Sequence, residues 1–229
     1  MTKSRKFLGA SAFGLLLAIA PVASAVGQDV AAPVTQQNEA QDAFSTAVAQ
    51  ELHAAAERHQ AAVREAAELE QRAEALTPGE FLWMPERQEN GEVVVVVSIA
   101  AQKAYVYRAD KLIGVTTVST GMRGHRTPTG SFTILQKNRR HFSNLYNNAP
   151  MPNMQRLTWG GIALHAGALP GYPASHGCIR LPMEFSRLLF GATSMGGSVH
   201  IVADTPPSAA DALAFATGGA RATQMASAR

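Results

Sequence analysis

Cys178 is the only cysteine in the 229-residue chain; it stands two positions after His176 and thirteen after His165. A free thiol is only weakly ionised at neutral pH, so a cysteine nucleophile needs a neighbouring base and a group that orients that base. His165 and His176 are both candidates. His176 sits at i−2, where its ring is more easily held as a support. His165 closes an apolar run, Gly161 to Leu164, that reads as a buried strand. A strand opening into a loop is where catalytic side chains are usually presented, and this assigns the base to His165. A histidine beside the sulfur favours its charged form, so the thiol is expected to titrate below the free value of about 8.5. Gly177 leaves room for a carbonyl to approach the backbone, and the N–H groups of Gly177 and Cys178 could form an oxyanion hole.

Other chemistry is open to these residues. A lone cysteine can be a small buried hydrophobe. His165, His176 and Cys178 are also zinc-type ligands, but no fourth ligand stands nearby. The Gly-rich stretch Gly121 to Gly130 lacks the Gly-Lys-Ser/Thr ending of a phosphate-binding loop. No cofactor or metal is expected.

The elements that must position the site are mostly strands. Glu92 to Ile99 is a valine-rich run, Lys103 to Arg108 alternates around Tyr105 and Tyr107, and Leu112 to Ser119 and Ser131 to Gln136 follow at turn-punctuated intervals. Asn138 to Arg156 is polar and aperiodic, and reads as a loop serving as a lid or substrate wall. Pro182 to Phe190 reads as a short helix stopped by Gly191, and Ser198 to Ala203 as a closing strand in which His200 is a sheet residue. His125 and His141 are expected in loops. The predicted fold class is mainly β, a sandwich-like or barrel-like core with a short helix after the active-site loop.

The segment Ser175-His176-Gly177-Cys178-Ile179-Arg180, with His165 upstream, resembles the active-site pattern of the L,D-transpeptidase (YkuD-type) catalytic domain family. So do Val118-Ser119-Thr120-Gly121, Thr127-Pro128-Thr129-Gly130-Ser131-Phe132, and the stretch from Met151-Pro152 through Trp159-Gly160-Gly161. The resemblance covers roughly Glu92 to Ala203. It implies a YkuD-type fold, Cys178 as the acylated nucleophile, His165 as general base, and Ser175, His176, Gly177 and Arg180 as residues that shape the site and its oxyanion hole. Where many relatives carry Ser or Gly after the first histidine, this chain has Ala166, so a contact orienting His165 there must come from a backbone carbonyl.

The flanks bear on where such an enzyme works. Lys3, Arg5 and Lys6 precede an apolar run, Phe7 to Ala20, and Ala23-Ser24-Ala25 offers a cleavage site, so residues 1–25 read as a secretory signal. The run is too short to span a bilayer, and no stable membrane span is expected after cleavage. Removing the signal removes the whole +3 formal charge, which excludes a nucleic-acid reading of the high pI. What remains is asymmetric: Asp29 to Glu89 carries a net −8, and Asn90 to Thr205 a net +7.

Residues 26–40 read as a linker. In 41–76 Phe44, Val48, Leu52, Ala55 and their successors recur at helical spacing, predicting a helical arm that is solvated, packed back on the catalytic domain, or paired with a protein partner. The catalytic domain is expected at 90–205, and residues 206–229 as a disordered tail.

The expected function is that of an exported cysteine acyltransferase in the periplasm or cell wall, acting, as the resemblance implies, on peptidoglycan stem peptides. Arg180, Arg123 and Trp159 are expected to contact the substrate. The alternatives are a hydrolase on the same scaffold, an L,D-carboxypeptidase or amidase, and a non-catalytic wall-binding anchor.

Overall fold

The computed structural model describes residues 34–218. The proposed signal segment and the end of the tail lie outside the described residues. Among the described residues no helix is long and apolar enough to cross a membrane.

Among the described residues ten strands form two sheets. Sheet A contains β1 (Phe81–Trp83), β2 (Val93–Ser98), β3 (Lys103–Arg108), β4 (Lys111–Thr117), β5 (Gly130–Thr133) and β10 (Ser198–Val202), in the order β1-β4-β3-β2-β10-β5. Sheet B runs β6 (Gln136–Phe142), β7 (Pro150–Arg156), β8 (Ala163–Ala166), β9 (Ile179–Leu181). The mainly β class expected from the sequence is observed, and of the sandwich-like and barrel-like alternatives the core takes the two-sheet form.

The valine run shows how sheet A is held. Side chains alternate across a strand, so Val93, Val95 and Val97 enter the main core with Leu164, Ile179, Leu181, Phe185 and Leu189, while Val96 turns to the opposite face. That second face is covered as well. Leu69 and Ala73 of helix α1 (Val34–Glu74) pack there with Tyr105, Tyr107, Val115, Ala209 and Ala212. Lys103 Nζ donates to the carbonyls of Ala73 (2.7 Å) and Glu74 (3.2 Å), placing a cation where the helix dipole is negative.

Several boundaries differ from the sequence reading. The expected linker 26–40 is helical from Val34 onward, and the helix ends at Glu74, not 76. The chain divides after Ala54 into two compact units. In the first, Phe44, Val48 and Leu52 are exposed; in the second, Leu69 and Ala73 are buried. Sheet A begins at Phe81, ahead of the expected domain start at 90. Phe81 and Trp83 meet the Phe185 ring edge-on at 5.5 and 5.4 Å.

The tail expected to be disordered from 206 is packed through 216. Ala209 and Ala212 are buried, the Tyr107 hydroxyl donates to the Ala209 carbonyl, and Glu70 Oε2 accepts the Ala209 N–H at 2.7 Å. Alanines make this packing, and they leave almost no hydrophobic pattern in the sequence.

The expected loop 138–156 is instead mostly strands β6 and β7, joined by residues 143–149. Pro150, Pro152 and the left-handed Asn153 (φ +55°) hid β7, since prolines and positive φ argue against a regular strand. Helix α2 (Met183–Ala192) runs through Gly191 instead of stopping there; Lys137 Nζ caps it through the carbonyls of Phe190 and Thr193.

Candidate active site

Strand register brings the chemistry together. Strands β8 and β9 are parallel, with Leu164 opposite Ile179 and His165 opposite Arg180. Leu164 and Ile179 point into the core, so their neighbours Ala163, His165, Cys178 and Arg180 share the other face. That face floors a cleft of about 800 Å³, lined by His165, Ser175, His176, Cys178 and Arg180.

The loop bearing Cys178 is fastened from beneath by the two motifs upstream. Ser119 and Arg180 exchange backbone hydrogen bonds, Ser175 N–H donates to Thr120 O, and Met122 N–H donates to Ser175 O. Thr127, 4% exposed, donates from its hydroxyl to Gly177 O and accepts the Gly121 N–H, both at 2.8 Å. Gly177 takes φ +116°, and a Cβ there would lie 2.7 Å from Ile162 Cδ1. Only glycine meets both conditions.

His165 is 7% exposed. Its Nδ1 lies 2.8 Å from the Ala166 carbonyl, a contact that places the ring proton on Nδ1 and leaves Nε2 as the acceptor. The orienting group at this point is a backbone carbonyl, as the presence of Ala166 required. Burial holds the imidazole below its ordinary range; the bond to Ala166 opposes this, and the Arg180 and His141 charges add to it.

Cys178 is half-buried, and its thiol donates to Gly161 O at 3.3 Å. Burial pushes the thiol up, against the pull of the Ala163 backbone hydrogen bond and of Arg180 and Arg156. This is opposite to the direction expected from a neighbouring histidine. Desolvation disfavours a thiolate more than these partners favour it, as it disfavours a charged imidazole at His165.

Two other expectations shift. Gly177 N–H donates to Ser175 Oγ at 3.1 Å, and Ser175 in turn donates to Cys178 O, so that N–H is committed to shaping the loop and not to an oxyanion. Arg123 is exposed and does not line the cleft. Arg180 and Trp159 do, and so does Arg156, which no sequence signal marks because it falls at the end of a stretch that reads as a loop.

His176 is exposed and stacks on Tyr146 at 4.4 Å, with His125 edge-on at 4.6 Å. It supports the mouth of the cleft from the side of residues 143–149. His141 lies on β6 and lines the cleft; it is not a loop residue. His200 accepts or donates a 2.9 Å hydrogen bond with Ser131 across sheet A, away from this cleft.

Residues 92–201 match the family model described as the L,D-transpeptidase catalytic domain, YkuD. None of the curated proteins matches. Among solved structures, the chain is similar to an L,D-transpeptidase from Stackebrandtia nassauensis, at 28% identity over 51% of this chain and 58% of that one, with a TM-score of 0.47. It is likewise similar to an L,D-transpeptidase from Mycobacterium tuberculosis H37Rv, at 27% identity over 48% and 57%, with a TM-score of 0.46. The chain thus spans less than two thirds of either protein. Over residues 92–201, just under half of the chain, the sequence thus matches the YkuD family of L,D-transpeptidase catalytic domains.

Proposed function

We propose that the protein is an exported cysteine acyltransferase that cross-links peptidoglycan stem peptides, with Cys178 as nucleophile and His165 as general base. The observation that carries this reading is the shared face of β8 and β9, which puts a buried imidazole with a free Nε2 and a thiol on the floor of one cleft. Export rests on the sequence of residues 1–25, and the wall substrate on the family.

In this reading the Cys178 sulfur attacks the carbonyl of the third stem residue while His165 Nε2 takes the thiol proton. With Gly177 N–H already engaged, the Cys178 N–H is the backbone donor left beside the developing oxyanion. Collapse breaks the amide bond, and the protonated imidazole returns its proton to the departing D-alanine amine. An amine of a second stem then attacks the thioester, gives its proton to His165, and releases the thiol. Ser175 and Thr127 hold the loop, and Arg180 adds positive charge next to the base.

Wall fragments incubated with the mature protein and analysed by mass spectrometry test this. Cross-linked dimers are expected, formed with loss of one D-alanine each. Shortened stems without dimers would make the enzyme a hydrolase, and unchanged fragments would leave only wall binding.

A further inference from the structure

Arg156 occupies an unusual place in this cleft. It pairs with Ala163 across β7 and β8, and Cys178 flanks Ala163 from the other side. The three residues form a row across the open face of sheet B, in which the middle member is a single methyl. With strands about 4.8 Å apart, the outer two backbones stand about 10 Å from each other. Ala163 is buried with Met151 and Met154, and all three residues of the row line the cleft.

The guanidinium is held ready in this row. Arg156 Nε donates to Gln136 Oε1 at 2.8 Å, and the group lies over the Trp159 ring at 5.9 Å. Both contacts fix its plane without neutralising it. No aspartate or glutamate lines the cleft, and among the described residues the hydrogen-bond partner of Arg156 is an amide. A half-buried guanidinium with its outer N–H edge uncommitted suits a carboxylate, which it can grip with two parallel bonds. The distance also fits: one residue of extended chain spans about 3.5 Å, so a carboxylate one residue past the attacked carbonyl reaches from the sulfur toward Arg156.

We propose that Arg156 is a specificity-determining residue: it binds the terminal carboxylate of the residue expelled by Cys178 and so selects donors that end one residue beyond the scissile carbonyl. The consequence for donors rests on the acyltransferase reading above. The placement of an anion-binding cation beside the sulfur does not.

Because Cys178 is the only thiol, its alkylation reports the local charge directly. The native mature protein is treated with iodoacetate or with neutral iodoacetamide, and the two rates are compared in wild type, Arg156→Gln, Arg156→Lys and Arg123→Gln. The ratio of iodoacetate to iodoacetamide rates should fall at least tenfold in Arg156→Gln, stay within about threefold in Arg156→Lys, and be unchanged in Arg123→Gln. The internal ratio cancels any general change in thiol exposure. An Arg156→Gln ratio within twofold of wild type, or an equal fall in Arg123→Gln, overturns the assignment. In parallel, kcat/KM is measured for a stem peptide ending in a carboxylate and for its carboxamide. Their ratio should fall at least tenfold in Arg156→Gln, and an unchanged ratio overturns the donor selection. Should wild type consume neither peptide, the acyltransferase reading fails while the alkylation ratio still decides Arg156.

Discussion

The two sheets of this protein are built from similar lengths of strand, yet they are treated oppositely. Sheet A is covered on both faces: by sheet B and α2 on one, and by the end of α1 and residues 209–216 on the other. Its central residues Val95, Val96, Val97 and Val106 are fully buried. Sheet B buries its inner face through Leu164, Ile179 and Leu181, while its other face carries only a small apolar cluster, Met151, Met154 and Ala163, and turns Arg156, His165, Cys178 and Arg180 toward the cleft. A sheet with two apolar faces has nowhere to keep a reactive polar group. A sheet with one open face can present such a group while the other face fixes its position.

The sharpest way to break that contrast is to remove the reactive group without touching the core. Cys178→Ala should abolish acyl-enzyme formation and turnover while leaving the thermal midpoint close to that of wild type. Intact mass and a melting curve check both halves, and surviving turnover would remove the nucleophile. Next comes His165→Gln, which should slow acylation by about 10²-fold or more, the usual contribution of a general base; His176→Gln should cost less, through a loosened cleft mouth. Rapid-mixing acylation kinetics separate the two, and a reversed order would exchange their roles.

On sheet A the effects should be on stability. Ile113→Ala removes a fully buried side chain from the main core and should cost about 2–5 kcal/mol in denaturant unfolding, with the acylation rate of the remaining folded protein nearly unchanged. Thr127→Val sits between the two regions. It strands the Gly121 N–H and the Gly177 carbonyl and should cost about 1–3 kcal/mol, together with a lower kcat, because that carbonyl belongs to the loop of Cys178. If Ile113→Ala proved the more damaging to catalysis per folded molecule, the division of labour between the sheets would be wrong.

The same contrast explains what could be read from the sequence. Sheet A announces itself through five consecutive valines and the Tyr105, Tyr107 alternation, because burial on both faces demands such residues. The proposed nucleophile and base, Cys178 and His165, follow from residue type and spacing, and both line one cleft. Strands β6 and β7 are not legible in this way: β6 is an edge strand that carries the exposed Arg139 and Arg140, and the Pro150 to Asn153 stretch breaks strand pattern. With β7 hidden, the sequence does not place Arg156 beside Cys178 and points to Arg123 instead. The direction of the Cys178 shift was also out of reach, because proximity to a histidine is visible in sequence whereas desolvation of the sulfur is a property of the packed cleft.

The central claim is a neutral thiol activated by a neutral His165, and one pH series tests it most directly. A carbapenem carries a strained lactam carbonyl, and intact-protein mass spectrometry can follow its addition to Cys178 over time. Burial depresses His165, so the base gains its proton only below the ordinary imidazole value of about 6.5. The rate should therefore rise with pH through a midpoint below about 6.5 and then level off, with one drug molecule added. In His165→Gln that limb should vanish, leaving slow modification that increases only above about 8.5, where the thiol ionises unaided. A wild-type midpoint at or above 8.5 that His165→Gln does not move, or a native protein that stays unmodified yet reacts once denatured, would contradict the account.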